Sequence, residues 1–256
     1  MPRYREKEKK VRTDRISLFT LLFPLVSVLY AEGIFAWFSG FGFSVYKILF
    51  ALAAGCIAAA LSRLTPLRIV NAVLQSAWLL FCFGFIALQF LCFQAGGVYC
   101  SLFIPVENLP AVSALVKAAA KNLPFMICML VPAVLQLFVQ CPLLLTRRSL
   151  LGTLLGADWM ELLGMLLLAL ILGFVSFTMA MRADAGETAP RRQIELQYMP
   201  AESAETFGIL PQTVLDLKYN VLHIQKEEVI HHYIVTEDGT QVEITEQEAG
   251  LWAQEG

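Results

Sequence analysis

Long apolar runs alternate with short polar breaks over the first 181 residues; the runs cover 16–38, 43–62, 69–93, 123–145 and 160–181. A helix needs about 20 apolar residues, at about 1.5 Å each, to cross the hydrocarbon of a bilayer, and every run reaches that length. The pattern predicts an all-α membrane protein with five transmembrane helices. The breaks are a glycine-bearing turn at 39–42, the 63–68 turn around Pro66, the polar stretch 94–122, and 146–158 with its Arg147-Arg148 pair. The 39–42 turn is so short that the first two helices should form an antiparallel hairpin.

The 94–122 stretch contains a further helix pattern. Pro110 can open a helix in which Val112, Leu115, Val116 and Ala119 recur at helical spacing, with Lys117 and Lys121 on another face. Such a helix could rest on the outer membrane surface with its lysines on anionic headgroups, and the simpler alternative is a solvated helix without lipid preference. After Met181 the pattern changes. Residues 182–205 read as an Ala-, Glu- and Pro-containing linker, and Pro211 to Tyr219 as a short helix with Leu210, Val214 and Leu217 on one side. Residues 229–245 alternate in strand fashion around Glu237-Asp238-Gly239-Thr240, a β-hairpin pattern that is marginal on its own in water.

Composition supports hydrocarbon as the solvent. Of 256 residues, 57% are hydrophobic and 16% charged, against about 25% charged in soluble domains. Charge is segregated: residues 1–15 carry seven cations, while 182–256 carry five cations and fourteen carboxylates. This gives three regions: a basic cytoplasmic N-terminus (1–15), a five-helix transmembrane domain (16–181) and an acidic extracytoplasmic tail (182–256). The cations set the orientation, since Arg63, Arg68, Arg147 and Arg148 then fall on the same side as the N-terminus. Lys117 and Lys121 are the dissent, lying outside. Trp37, Tyr46 and Trp159 sit where interfacial anchors would. The first run is too long for a cleaved signal core and lacks a small-residue cleavage motif. The expected location is a cell membrane, multi-pass, and the charge split argues against a nucleic-acid-binding surface.

Candidate chemistry is sparse. Glu32 lies about 10 Å below the outer end of the first helix and Lys47 at a similar depth in the second, so the hairpin allows a Glu32–Lys47 pair. That pair is either a headgroup or proton site or, with Lys47 snorkelling, a structural ion pair. Gln136 and Gln140, following Pro132, and Gln75 and Gln89 on the third span suit hydrogen bonding between helices, and Pro132 frees a carbonyl for them. Five of the six cysteines lie in apolar runs; Cys100 sits in a loop without a loop partner, and no disulfide framework or zinc spacing is apparent. His223, His231 and His232 fit a solvated strand better than a metal site. No GxSxG, P-loop or HExxH is present, and the roughly 75 residues after the last run are too few for a two-layer catalytic α/β domain.

Five spans, an inside N-terminus and an outside linker resemble the membrane portion of the lipoteichoic acid synthase-like family, the sulfatase-superfamily phosphoglycerol transferases of bacterial membranes. A short motif sharpens the likeness. Glu205-Thr206-Phe207-Gly208-Ile209-Leu210, followed by Leu215-Asp216-Leu217-Lys218, is similar to the Phe-Gly-Leu-Leu…Arg-Leu-Asp-Leu-Lys segment after that family's last span. Tyr219-Asn220-Val221-Leu222 resembles the stretch that follows. Where the family has Arg, this chain has Val214, so a polar contact of the linker helix should be missing. The resemblance implies a membrane anchor and linker of a truncated or split enzyme. Its extracellular domain would use a threonine nucleophile and a divalent metal, usually manganese, to move glycerol phosphate from phosphatidylglycerol. No catalytic or metal residue carries over to this chain. The implied partners are membrane lipids, including phosphatidylglycerol, and a separately encoded sulfatase-like domain. The competing expectation is a free-standing polytopic protein acting as an accessory subunit, sensor or lipid-binding factor. A transporter fits less well, because the spans show no repeat pair and few intramembrane charges.

Overall fold

The computed structural model describes residues 2–97, 99, 110–146, 156–183, 190–195, 200–218, 222, 232–235 and 241–244. The chain divides into two units, Met1–His223 and Ile224–Gly256.

In the first unit, α1 (Pro2–Ser39), α2 (Val45–Leu61), α3 (Arg68–Gly96), α4 (Val112–Lys121) and α5 (Leu123–Leu135) are followed by a π-helical turn, Gln136–Gln140, and then by α6 (Cys141–Thr146) and α7 (Gly156–Met181). Four stretches are long and apolar enough to cross a membrane: Leu18–Ser39, Arg68–Gly96, Leu123–Leu145 and Trp159–Met181. The second predicted span is shorter than its sequence suggested. Ser44 caps α2 by accepting from the Lys47 N–H at 3.2 Å, and Ser62 ends it, leaving 17 helical residues. The outward faces are apolar, with Phe138, Met160, Leu170 and Phe174 all exposed, which suits lipid and not water. The chain therefore reads as a multi-pass membrane protein.

Small side chains set the closest approach. The buried face of α2 is built from Ala51, Ala53, Gly55, Cys56, Ala58, Ala59 and Ala60. At Gly55 an added Cβ would lie 2.5 Å from the Leu25 Cα of α1, so only glycine lets these backbones meet, as in small-residue interfaces of membrane helices generally. The core beyond is aromatic: Phe90 of α3 stacks on Phe125 of α5 at 3.9 Å between ring centroids, and Phe38 meets Phe125 edge-on at 5.5 Å.

Two prolines are compensated reciprocally. A proline lacks the N–H that would serve the carbonyl four residues earlier, so Pro24 frees the Thr20 carbonyl and Pro132 that of Cys128. Gln140 Nε2 donates to the Thr20 oxygen at 3.0 Å, and Tyr30 Oη donates to the Cys128 oxygen at 3.3 Å. Gln140 thus serves the proline of α1, and the carbonyl freed by Pro132 goes to a tyrosine. Gln136 Nε2 also donates to Ser76 Oγ at 2.9 Å, so both amides join helices as their sequence positions suggested.

The linker is more ordered than composition implied. It contains α8 (Pro190–Glu195), α9 (Pro200–Phe207) and α10 (Ile209–Asp216). α10 starts two residues earlier than expected and presents the other face: Ile209, Gln212, Leu215 and Asp216 are buried, whereas Val214 is exposed and Leu210 is only partly covered. That face is buried because the Ile209 N–H bonds Glu32 of α1 while Leu215 packs with Phe207 and Ala180.

Cys92 is disulfide-bonded, while Cys56, Cys82, Cys128 and Cys141 are free. This corrects the expectation that no disulfide forms: Cys92 lies one turn before the Gly97 cap that ends α3, near the polar stretch and not deep in the span. Cys100 lies outside the described residues.

In the second unit, β1 (His232–Val235) pairs antiparallel with β2 (Gln241–Ile244), His232 opposite Ile244 and Val235 opposite Gln241. The expected turn at 237–240, together with His223 and His231, lies outside the described residues.

Candidate functional site

Glu32 is 2% exposed, one of the most deeply buried carboxylates described. An ionised group so placed must find donors. It finds them in the chain's own tail: Oε1 accepts from the Ile209 N–H at 3.1 Å and from the Leu210 N–H at 3.4 Å. These are first-turn amides of α10, which have no partner within their own helix and carry the positive end of its dipole. A carboxylate is the natural cap, and here it comes from a membrane helix 177 residues earlier in the chain.

Gly208 makes this approach possible. Its φ of 95° and ψ of 173° fall in a region that only glycine occupies readily. A Cβ there would come within 2.9 Å of Glu32 Oε2. Phe207, 2% exposed, fills the space beside it, edge-on to Tyr46 at 5.7 Å and Phe50 at 6.3 Å. Tyr46 is therefore a packing partner of the tail and not a free interfacial anchor. The Ser44 hydroxyl donates to the Thr206 carbonyl, tying the start of α2 to the end of α9. Lys218 donates to the Ile194 carbonyl, closing α10 onto α8; burial lowers its pKa, partly opposed by Glu195.

The expected Glu32–Lys47 ion pair does not form. Lys47, 1% exposed, donates to the Gly42 carbonyl at 2.9 Å and lies 5.3 Å from the centre of the Phe41 ring. The reason is that the α10 amides already occupy Glu32, while Lys47 reaches back to satisfy the inter-helix turn. Lys117 and Lys121 are exposed on α4, flanked by exposed Val112 and Val116, and α4 buries Ala118. Neither lysine takes part in the Glu32 site.

Of the linker motif, Phe207, Gly208 and Leu215 build the docked surface, Asp216 is buried with them, Leu217 lies at the rim, and Lys218 holds α8. Val214, standing where the family has Arg, is 65% exposed and makes no polar contact. A site at the other end of the bundle escaped sequence reasoning. Arg63, 4% exposed, pairs through Nε with Glu161 Oε2 of α7 at 2.8 Å and donates from Nη2 to Thr20 Oγ1 of α1 at 3.1 Å. Its signal was weak because Arg63 sat in a break where any cation would be read as solvated.

Among the described residues, no group of three His, Cys, Asp or Glu side chains could hold a metal. No protein-family model, curated protein or solved structure matches the chain.

Proposed function

We propose that this chain is the membrane anchor and linker of a lipoteichoic acid synthase-like phosphoglycerol transferase, which holds an extracytoplasmic sulfatase-like domain at the bilayer surface. The observation that carries this reading is the docking of 206–218 onto the helices through Glu32. Each distinctive residue of the resembling motif has a mechanical task there: Phe207 as the plug, Gly208 as the close-approach point, Lys218 as the clasp. A linker that must aim a catalytic domain at lipid headgroups needs such a rigid footing, because a flexible tether leaves the approach angle to chance.

In this reading α2 completes a fifth crossing, its 17 residues spanning about 25 Å. The N-terminus is cytoplasmic and the tail extracytoplasmic. The disulfide at Cys92 supports that orientation, since disulfides persist on the oxidising side of a membrane. The manganese and the phosphatidylglycerol chemistry would belong to the catalytic domain.

The test is the DNA adjoining codon 256 and the neighbouring genes. A sulfatase-like domain encoded there, and glycerol-phosphate transfer in membranes containing both pieces, is the expected result. Unrelated coding sequence on both counts, with correctly inserted protein, would overturn the proposal in favour of a free-standing membrane protein.

A further inference from the structure

A cavity of about 590 Å³ lies between α2, α3, α7 and the docked tail. Its size falls in the range of ligand sites, yet its wall is almost wholly apolar. Phe50 and Ala53 of α2, Phe81 and Phe85 of α3 and Val214 of α10 line it, and among the described residues Lys218 is the sole charged residue on the wall. Trp78 is fixed in that wall by donating its indole N–H to the Ala54 carbonyl at 3.3 Å.

We infer that the cavity holds one acyl chain of a bilayer phospholipid. Three observations identify the occupant. First, the cavity follows α2 from Phe50 to Ile57, between spanning helices, so what enters comes from the lipid phase and not from water. Second, it is continuous with the lipid-facing surface: Phe81, Phe177 and Val214 belong both to its lining and to the exposed apolar belt. Third, among the described residues lining it the one charged side chain is a cation, Lys218, two residues past the docked helix, on the side where the phosphate of a lipid whose chain lies below would sit. The polar groups of a water-soluble ligand would have almost nothing to bond. This inference does not rest on the enzyme reading; a lipid seated under α10 serves an anchor or a lipid-binding factor equally.

The test is retention of lipid by the full chain extracted in mild detergent and weighed by native mass spectrometry. One phospholipid per chain is expected for the wild type. Ala53→Phe, which fills the cavity, should reduce retention at least tenfold, whereas Val134→Phe on the exposed face of α5 should not. A second measurement uses protein in which Trp37, Trp159 and Trp252 are Phe. Phospholipid brominated in mid-chain should quench Trp78 strongly, and Ala53→Phe should relieve that quenching. If Ala53→Phe does not fold, Val214→Trp closes the mouth instead and should have the same effect. Equal retention in folded wild type and filled variants, no retained lipid in the wild type, or a shift of Ala53→Phe from dimer to monomer with no lipid change would each overturn the inference.

Discussion

Gly208→Ala tests the docking at its tightest point. Forcing an alanine to φ 95°, ψ 173° costs about 1–3 kcal/mol in backbone strain. The new methyl would also sit 2.9 Å from Glu32 Oε2, so the carboxylate must withdraw and weaken its bonds to the Ile209 and Leu210 amides. Hydrogen bonds to a charged group contribute about 1.5–3 kcal/mol. Together the docked state of α10 should lose about 3–5 kcal/mol, and each 1.4 kcal/mol is about a factor of ten. Amide hydrogen exchange, read in detergent micelles or nanodiscs, should therefore quicken by at least about 100-fold at Ile209 and Leu210. The Phe83 and Ile86 amides of α3 should stay protected, which separates local release from unfolding. Gly40→Ala is the control: φ is 73° there, with nothing within 4 Å of the added carbon, so only the strain is felt and tail exchange should not change. Exchange at 209–210 within threefold of wild type in folded Gly208→Ala would refute the carboxylate cap.

Other expectations concern the remaining joints. Arg63→Ala should destabilise the bundle by about 2 kcal/mol in denaturation by anionic detergent, less than a fully buried pair because the Glu161 side chain is 33% exposed; no loss would show that Arg63 is merely solvated. Gln140→Leu should cost about 1 kcal/mol, and less in a Pro24→Ala background, where the helix regains a donor for the Thr20 carbonyl; strict additivity would refute the proline compensation. In denatured protein Cys92 should resist alkylation until a reductant is added, and alkylation without reduction would contradict the disulfide.

How much of this was readable from sequence depends on whether side chains or backbone carry the interaction. The spans were readable because hydrocarbon demands runs of about 20 apolar residues, and the boundaries of α3 and α7 fall close to those runs. The interhelical amides were readable because a glutamine in lipid has few alternatives. Glu32 stood out for the same reason, yet its partner did not: backbone amides leave no residue type to search for, and only Gly208 marks the place. Lys47 was the visible partner, and the backbone won. The buried face of α10, formed by Ile209, Gln212, Leu215 and Asp216, was not legible because the group it docks on, Glu32, lies 177 residues back in the chain. Arg63 and Glu161 lie almost a hundred residues apart, a pairing that only the fold reveals.

The central claim is that the tail from Thr206 to Lys218 is fastened to the membrane helices. It is tested most directly by Ser44→Cys with Thr206→Cys, in protein whose free cysteines at 56, 82, 128 and 141 are alanine, treated in native membranes with a short thiol crosslinker. The Ser44 hydroxyl meets the Thr206 carbonyl, so near-complete intramolecular crosslinking is expected, strongly reduced by Gly208→Ala. Crosslinking no greater than for a cysteine at exposed Ala201, or indifferent to Gly208→Ala, would contradict it.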